Sequence, residues 1–189
     1  MKRMIASLVV SAGALCATPA RALECADLWD WINKGCRRVV DTYENGGNEL
    51  LVSGYSYHVP ATWTAERRAE LNAEAWGFGF GRTTEEPNGD QHTVFFLGFL
   101  DSHKNAQLQV GYAWNTYWGP RDGLQAGLGW TAMIVQRPDI ADGIPVPVLL
   151  PLATVRYQKA QMVMTYIPTV GGGVNHGSTL YVFGRIALY

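Results

Sequence analysis

The sequence predicts an all-β protein, an eight-stranded antiparallel transmembrane β-barrel with an N-terminal amphipathic α-helix. Three observations predict it. About eight aromatic-rich runs alternate in character with period two for about ten residues at a time between turn signals, the weak per-segment signature of a membrane barrel. The longest apolar stretch after the first residues, 144–155, is interrupted by Pro145, Pro147 and Pro151 and falls short of the ~20 residues a membrane helix requires. The chain also opens as an export signal does: Lys2 and Arg3 precede an apolar run from Met4 to Ala17, and Ala20-Arg21-Ala22 supplies a small-x-small cleavage pattern.

The chain therefore divides into a signal peptide at 1–22, a periplasmic-side amphipathic helix and linker at 23–45, and a barrel at 46–189. Cleavage after Ala22 removes Lys2, Arg3 and Arg21 and takes the formal charge from −1 to −4, and 48% of the residues are hydrophobic, which argues against a disordered tail and a nucleic-acid partner. Cys16 leaves with the signal, and Leu15 before it is too large for a lipid-anchor site. Cys25 and Cys36 remain, an even pair in an exported chain. In one continuous helix they would stand roughly 16 Å apart, beyond the ~7 Å limit for a bridge, so a disulfide is expected only if Gly35 breaks the helix.

Leu28, Ile32, Cys36, Val39 and Val40 recur at helical spacing, with Trp29 and Trp31 beside them, Asp27 in the first turn and Arg37 and Arg38 in the last. The charges suit the helix dipole. The apolar stripe fits either packing against protein or lying in the membrane interface beneath the barrel.

The strands are expected near 50–59, 76–84, 93–100, 106–117, 124–136, 148–157, 160–167 and 179–189. In the second, Trp76, Phe78 and Phe80 oppose Gly77, Gly79 and Gly81; in the fourth, Leu108, Val110, Tyr112 and Trp114 oppose Gln109, Gly111, Ala113 and Asn115. The large apolar face is expected to meet lipid and the small or polar face the lumen. In the last strand Arg185 at mid-bilayer would cost roughly 2–4 kcal/mol facing lipid, so it is expected inside, with Leu180, Val182, Ile186 and Leu188 outside. Eight strands normally fill a barrel with side chains, so inward glycines at 77, 79, 81, 111, 127 and 129 leave room for a narrow apolar ligand, or else accommodate curvature.

With the N-terminal helix on the periplasmic side, odd strands end at the cell surface. His58 ends the first and Asp101-Ser102 the third, so they converge on one rim. His58 shares parity with Gly54 and Ser56 against Leu51, Tyr55, Tyr57 and Val59, which turns it inward. A histidine, an aspartate and a serine can perform acyl transfer, the imidazole taking a hydroxyl proton while the carboxylate orients or stabilises it. His103 is a rival base, and His92 and His176 read as solvated.

The chain resembles the PagP family of outer-membrane lipid A palmitoyltransferases over essentially the whole mature length. The similarity is densest in Trp76-Gly77-Phe78-Gly79-Phe80-Gly81, Phe99-Leu100-Asp101-Ser102, Val110-Gly111-Tyr112-Ala113-Trp114, Pro145-Val146-Pro147-Val148-Leu149-Leu150-Pro151 and Met164-Thr165-Tyr166-Ile167-Pro168. The resemblance implies an outer-membrane enzyme, its site facing the outer leaflet, that moves a palmitoyl chain from the sn-1 position of a phospholipid onto a hydroxyacyl chain of lipid A. It implies no metal and no other cofactor, and a monomer is expected. It carries the catalytic roles to His58, Asp101 and Ser102, with Ser102 expected to polarise the ester carbonyl. Ala113 stands where the family has a glycine at the floor that limits acyl length; Gly77, Gly79 and Gly111 are expected beside the chain. Pro151 and Pro168 match prolines that loosen the wall for lateral lipid access, whereas Ser53 and Ala75 replace an earlier pair. Arg67 and Arg68, and less so Lys104, fall in outer loops where they could meet lipid A phosphates. A non-enzymatic structural or adhesive barrel and a lipid A deacylase are the competing readings.

Overall fold

A computed structural model describes Cys25 and residues 29–171 and 175–189; the expected signal peptide lies outside them. Eight antiparallel strands follow one another around a closed barrel: β1 (Gly47–His58), β2 (Glu74–Glu85), β3 (Gln91–Leu100), β4 (Ala106–Trp118), β5 (Leu124–Gln136), β6 (Val146–Tyr157), β7 (Ala160–Ile167) and β8 (Thr179–Ala187). Closure is made by β1 against β8, from Glu49 opposite Ala187 to His58 opposite Thr179. Helix α1 (Asp30–Asn45) precedes β1, and a short helix α2 (Ala65–Glu70) lies in the loop between β1 and β2, its Thr64 side chain accepting from the Arg67 amide at 3.3 Å. No helix among the described residues is long and apolar enough to cross a membrane.

Helix α1 packs against β2 and β3 at one end of the barrel. Thr42, fully buried, lies 3.2 Å from the Thr84 hydroxyl, and Arg38 reaches Glu86 at 2.5 Å. The helix runs on to Asn45, so Arg37 and Arg38 sit mid-helix rather than in its last turn. Trp29 and Trp31 remain exposed. Its start also corrects the cysteine expectation: helical geometry begins at Asp30, after Cys25, so the ~16 Å separation does not apply and Gly35 need not break anything. Cys25 and Cys36 are bonded, their Cα atoms 5.8 Å apart.

Alternation places Trp76, Phe78, Phe80, Val110, Leu128 and Trp130 on the outside, as the small-in, large-out pattern requires. Strand β1 departs from it. The register with β2 and β8 shifts between Ser53 and Tyr55, a bulge centred on Gly54, so odd residues point inward before it and even residues after. Leu51 is consequently buried in the lumen, not lipid-facing, while Ser56 and His58 point inward as expected.

The lumen has two halves. Toward α1 it is polar: Arg185, inward as expected, donates to Glu49 at 2.8 and 2.7 Å and to the Thr83 and Thr93 hydroxyls at 3.0 and 2.5 Å. Arg156 donates to Gln125 and Glu85, and its guanidinium lies 4.1 Å above the Tyr117 ring. His92, by contrast, is on the outer face of β3 beside the end of α1, where it is buried, bonded through Nδ1 to the Tyr112 hydroxyl and through Nε2 to Glu86 at 3.1 Å, the carboxylate that Arg38 also reaches; the solvated reading of it was wrong because these partners and the packed helix cover it. The far half is apolar, with Leu51, Leu97, Phe99 and Tyr181 in one cluster, and Ala113, Leu152 and Val163 in another. Phe95 and Phe183 join the two.

Candidate active site

The apolar half encloses a cavity of about 490 Å³, a size typical of small-molecule sites. Its deep end is formed by Ala113, Leu152, Val163 and Phe183, with Thr93 and Arg185 beneath, and its mouth by His58, Asp101, Ser102 and Trp63. Hydrophobic walls along the shaft and a few convergent polar groups at the mouth fit a long acyl chain that carries its ester at the rim.

Two expected residues meet there. His58 ends β1 and Ser102 follows β3, and His58 Nε2 lies 2.9 Å from Ser102 Oγ. The Trp63 ring stands edge-on to the imidazole, centroids 5.6 Å apart. Both ring and hydroxyl face the cavity, so a neutral imidazole can accept the serine proton. Asp101 is buried beside them but engaged elsewhere: its Oδ1 accepts from the His103 and Asn105 amides at 2.8 Å each, fixing the turn that presents Ser102. Its Oδ2 makes no hydrogen bond and has Arg137 Nε at 3.3 Å as its ion-pair partner.

Above the mouth is a second, polar cavity of about 350 Å³ to which all four far-end loops contribute, with Arg67, His103, Arg137, Asp139 and His176 among its walls. Arg67 thus lies over the site; Arg68 and Lys104 are in neither lining. His176 is exposed as expected, and His103 turns its ring toward Asp139, 3.8 Å away, rather than toward Ser102. Asp101, His103 and Asp139 place one potential metal-ligand atom each within 4.8 Å of one another, but Arg137 bridges the two carboxylates. Asp139 feels burial, which raises its pKa, yet the hydrogen bond and charge of Arg137, its own backbone amide and His103 together hold it below the usual carboxylate range. It therefore stays ionised, and the pair with Arg137 is lost only as pH falls through that depressed value.

The wall is discontinuous on one side. Strand β6 pairs with β5 from Val146 onward, but with β7 only from Leu152 opposite Thr165, leaving 146–151 without a partner there. Pro151 sits at the last step, its carbonyl accepting from Thr165 Oγ1 at 2.8 Å. Pro147 and Pro168 line the cavity on either side of this gap, and so does the outward, exposed Leu149. Between β1 and β2 the wall is closed: the Ser53 hydroxyl bonds to the Ala75 carbonyl and lies 2.5 Å from the Tyr181 hydroxyl, and the Ser56 amide donates to the Ala73 carbonyl at 2.8 Å.

Gly77, Gly79 and Gly111 point inward without lining the cavity. A Cβ on Gly77 or Gly79 would strike the β3 backbone at Gly98 and Phe96, and one on Gly111 would meet Met133. Their geometry serves close approach of neighbouring strands, the curvature alternative, and does not provide an acyl contact.

Residues 38–185 match the family described as the antimicrobial peptide resistance and lipid A acylation protein PagP. The chain belongs to the PagP family. It is 33% identical to the lipid A acyltransferase PagP of Methylobacillus flagellatus over 162 residues, 86% of each chain. Against the protein of that name from Bordetella parapertussis it is 34% identical over 171 residues, 90% of this chain and 92% of the relative. It aligns with the Legionella pneumophila protein at 31% identity over the full length of both. Within this PagP-family chain, sequence reasoning missed Arg137, Asp139 and Trp63; loop residues without regular spacing gave no signal.

Proposed function

We propose that this PagP-family chain, an outer-membrane lipid A acyltransferase, moves a palmitoyl group from the sn-1 position of a phospholipid to a hydroxyacyl chain of lipid A. The 2.9 Å contact between His58 and Ser102 at the mouth of an apolar shaft carries the reading. The donor chain slides in through the gap between β6 and β7, bordered by Pro151 and Pro168, and its ester stops at the rim, which faces the outer leaflet. His58 takes the Ser102 proton as Oγ attacks the ester carbonyl; the lysophospholipid alkoxide leaves with that proton, giving an acyl-serine. The lipid A hydroxyl then attacks, passing its proton to His58 and on to Ser102 as the acyl-oxygen bond breaks. This makes Ser102 the attacking hydroxyl instead of a carbonyl-polarising group, because a hydroxyl 2.9 Å from an imidazole nitrogen is placed to give up its proton to the neutral ring. Asp101 supplies a buried negative charge beside the imidazolium and fixes the Ser102 turn. Arg67 meets a phosphate of the acceptor in the loop vestibule. The enzyme works as a monomer, since every one of these groups comes from one chain.

Mass spectrometry of lipid A from cells expressing the chain, with accessible phospholipid and a suitable acceptor present, tests this. One added palmitoyl group, drawn from sn-1-labelled and not sn-2-labelled phospholipid, is the expected result. Unchanged lipid A would favour a structural or adhesive barrel, and loss of an acyl chain a deacylase.

Ala113 sits at the deep end, opposite Thr93, whose hydroxyl accepts from Arg185. The acyl terminus therefore stops on the Ala113 methyl above a polar layer. Ala113→Gly is expected to shift preference toward the 16-carbon donor by about fourfold relative to a chain one methylene shorter, since a buried methylene contributes ~0.8 kcal/mol. Competition between labelled donors measures the ratio, and an unchanged ratio counts against Ala113 as the floor.

A further inference from the structure

Asp101 holds one oxygen on backbone amides and leaves the other, buried, to a single cation from a different loop. That cation, Arg137, is itself fixed by Asp139, with Nε 2.6 Å from Oδ1 and Nη2 2.7 Å from Oδ2. The guanidinium is only one-fifth exposed, and it lines both the acyl cavity and the polar vestibule. The loop following β5 thus grips the turn following β3 at the carboxylate next to Ser102. We propose that Arg137 is a positioning residue for acyl transfer, clamping the Asp101 carboxylate and the Ser102 turn through an Asp101–Arg137–Asp139 chain.

The inference rests on the roles given above to His58 and Ser102. Two properties separate a clamp from a phosphate ligand. The Arg137 guanidinium gives its Nε–H and one Nη2–H to Asp139 and lies 3.3 Å from Asp101 Oδ2, so although three N–H groups remain, its positive charge is already shared between two carboxylates and attracts a substrate phosphate less than an unpaired arginine would. A clamp also acts as one unit, and losing either end should undo it.

The test uses the full chain in detergent micelles with an sn-1-palmitoyl phospholipid and purified lipid A. Arg137→Gln is expected to lower kcat about tenfold with KM for both lipids within twofold, a size in keeping with loss of a charge-assisted contact. Arg137→Lys, which keeps the charge, should recover most of that. Asp139→Asn should lower kcat about threefold, and the double variant should be no slower than Arg137→Gln alone. Heat-modifiable gel mobility confirms that each barrel is folded, and if Arg137→Gln is not, Asp139→Asn and Arg137→Lys carry the test. An unchanged kcat in folded Arg137→Gln, a loss confined to KM for either lipid, or losses that multiply in the double variant would overturn the clamp while leaving the transferase reading intact. A wild-type chain with no transfer overturns both.

Discussion

His58→Ala and Ser102→Ala each lower palmitoyl transfer by at least about 10²-fold, and the double variant is no worse than either single one. The size follows from removing a general base or the hydroxyl it serves. Equality with the double variant follows because the pair, 2.9 Å apart, acts together: without the imidazole the hydroxyl keeps its proton, and without the hydroxyl the imidazole has nothing to activate. Transfer of labelled palmitate from the donor to lipid A, in outer membranes carrying equal amounts of each variant, measures it. Incubation with donor alone followed by rapid denaturation should reveal one acyl group on Ser102. Full activity in Ser102→Ala would remove the serine from the chemistry and return the attack to the acceptor hydroxyl. Asp101→Asn should fall between, because the amide oxygen can still accept from the His103 and Asn105 amides while the charge is gone.

The second large effect concerns stability. Arg185→Leu strands Glu49, which is 1% exposed and accepts two bonds from that guanidinium, in the middle of the barrel. A buried charge deprived of its partner costs about 3–5 kcal/mol, whereas replacing both members by apolar residues is often neutral. Arg185→Leu should therefore lower the unfolding free energy in lipid vesicles by that amount, and Glu49→Leu with Arg185→Leu should restore most of it. Equal losses in the single and double variants would mean that the hydroxyls of Thr83 and Thr93, also bonded to Arg185, carry the stability.

Strand positions were legible wherever one face is large and the other small. The alternation of Leu124 to Gln136 and the short run of Ala160 to Ile167 gave β5 and β7 directly, and Arg185 was placed inside by cost alone. Strand β3 hid its facing: Phe95, Phe96 and Leu97 are all apolar, yet Leu97 is buried in the lumen and Phe96 meets the outside, because this lumen is itself apolar in its far half. Leu51 was misplaced because a one-residue bulge leaves no mark in a parity count, although Gly54 is the kind of residue that permits one. At the site, His58 and Ser102 followed from strand direction and family resemblance. Arg137 and Asp139 did not, since two charges in a loop look solvated until the fold sets a buried carboxylate beside them. The disulfide was missed for a related reason: a helix boundary off by a few residues decides whether two cysteines can touch.

Closure of the barrel by β1 against β8 also controls when the enzyme exists. Glu49 and Ala187 meet across nearly the whole mature chain, and such distant pairings form late and slowly. His58 lies on the strand that completes the ring, so its imidazole reaches Ser102 and the acyl shaft acquires its wall only when assembly ends. A chain whose barrel has not closed has a histidine and a serine but neither the shaft nor the base-hydroxyl pair. On the proposed chemistry, activity is in this way tied to assembly: the base-hydroxyl pair and the acyl shaft come into being together, when the barrel closes.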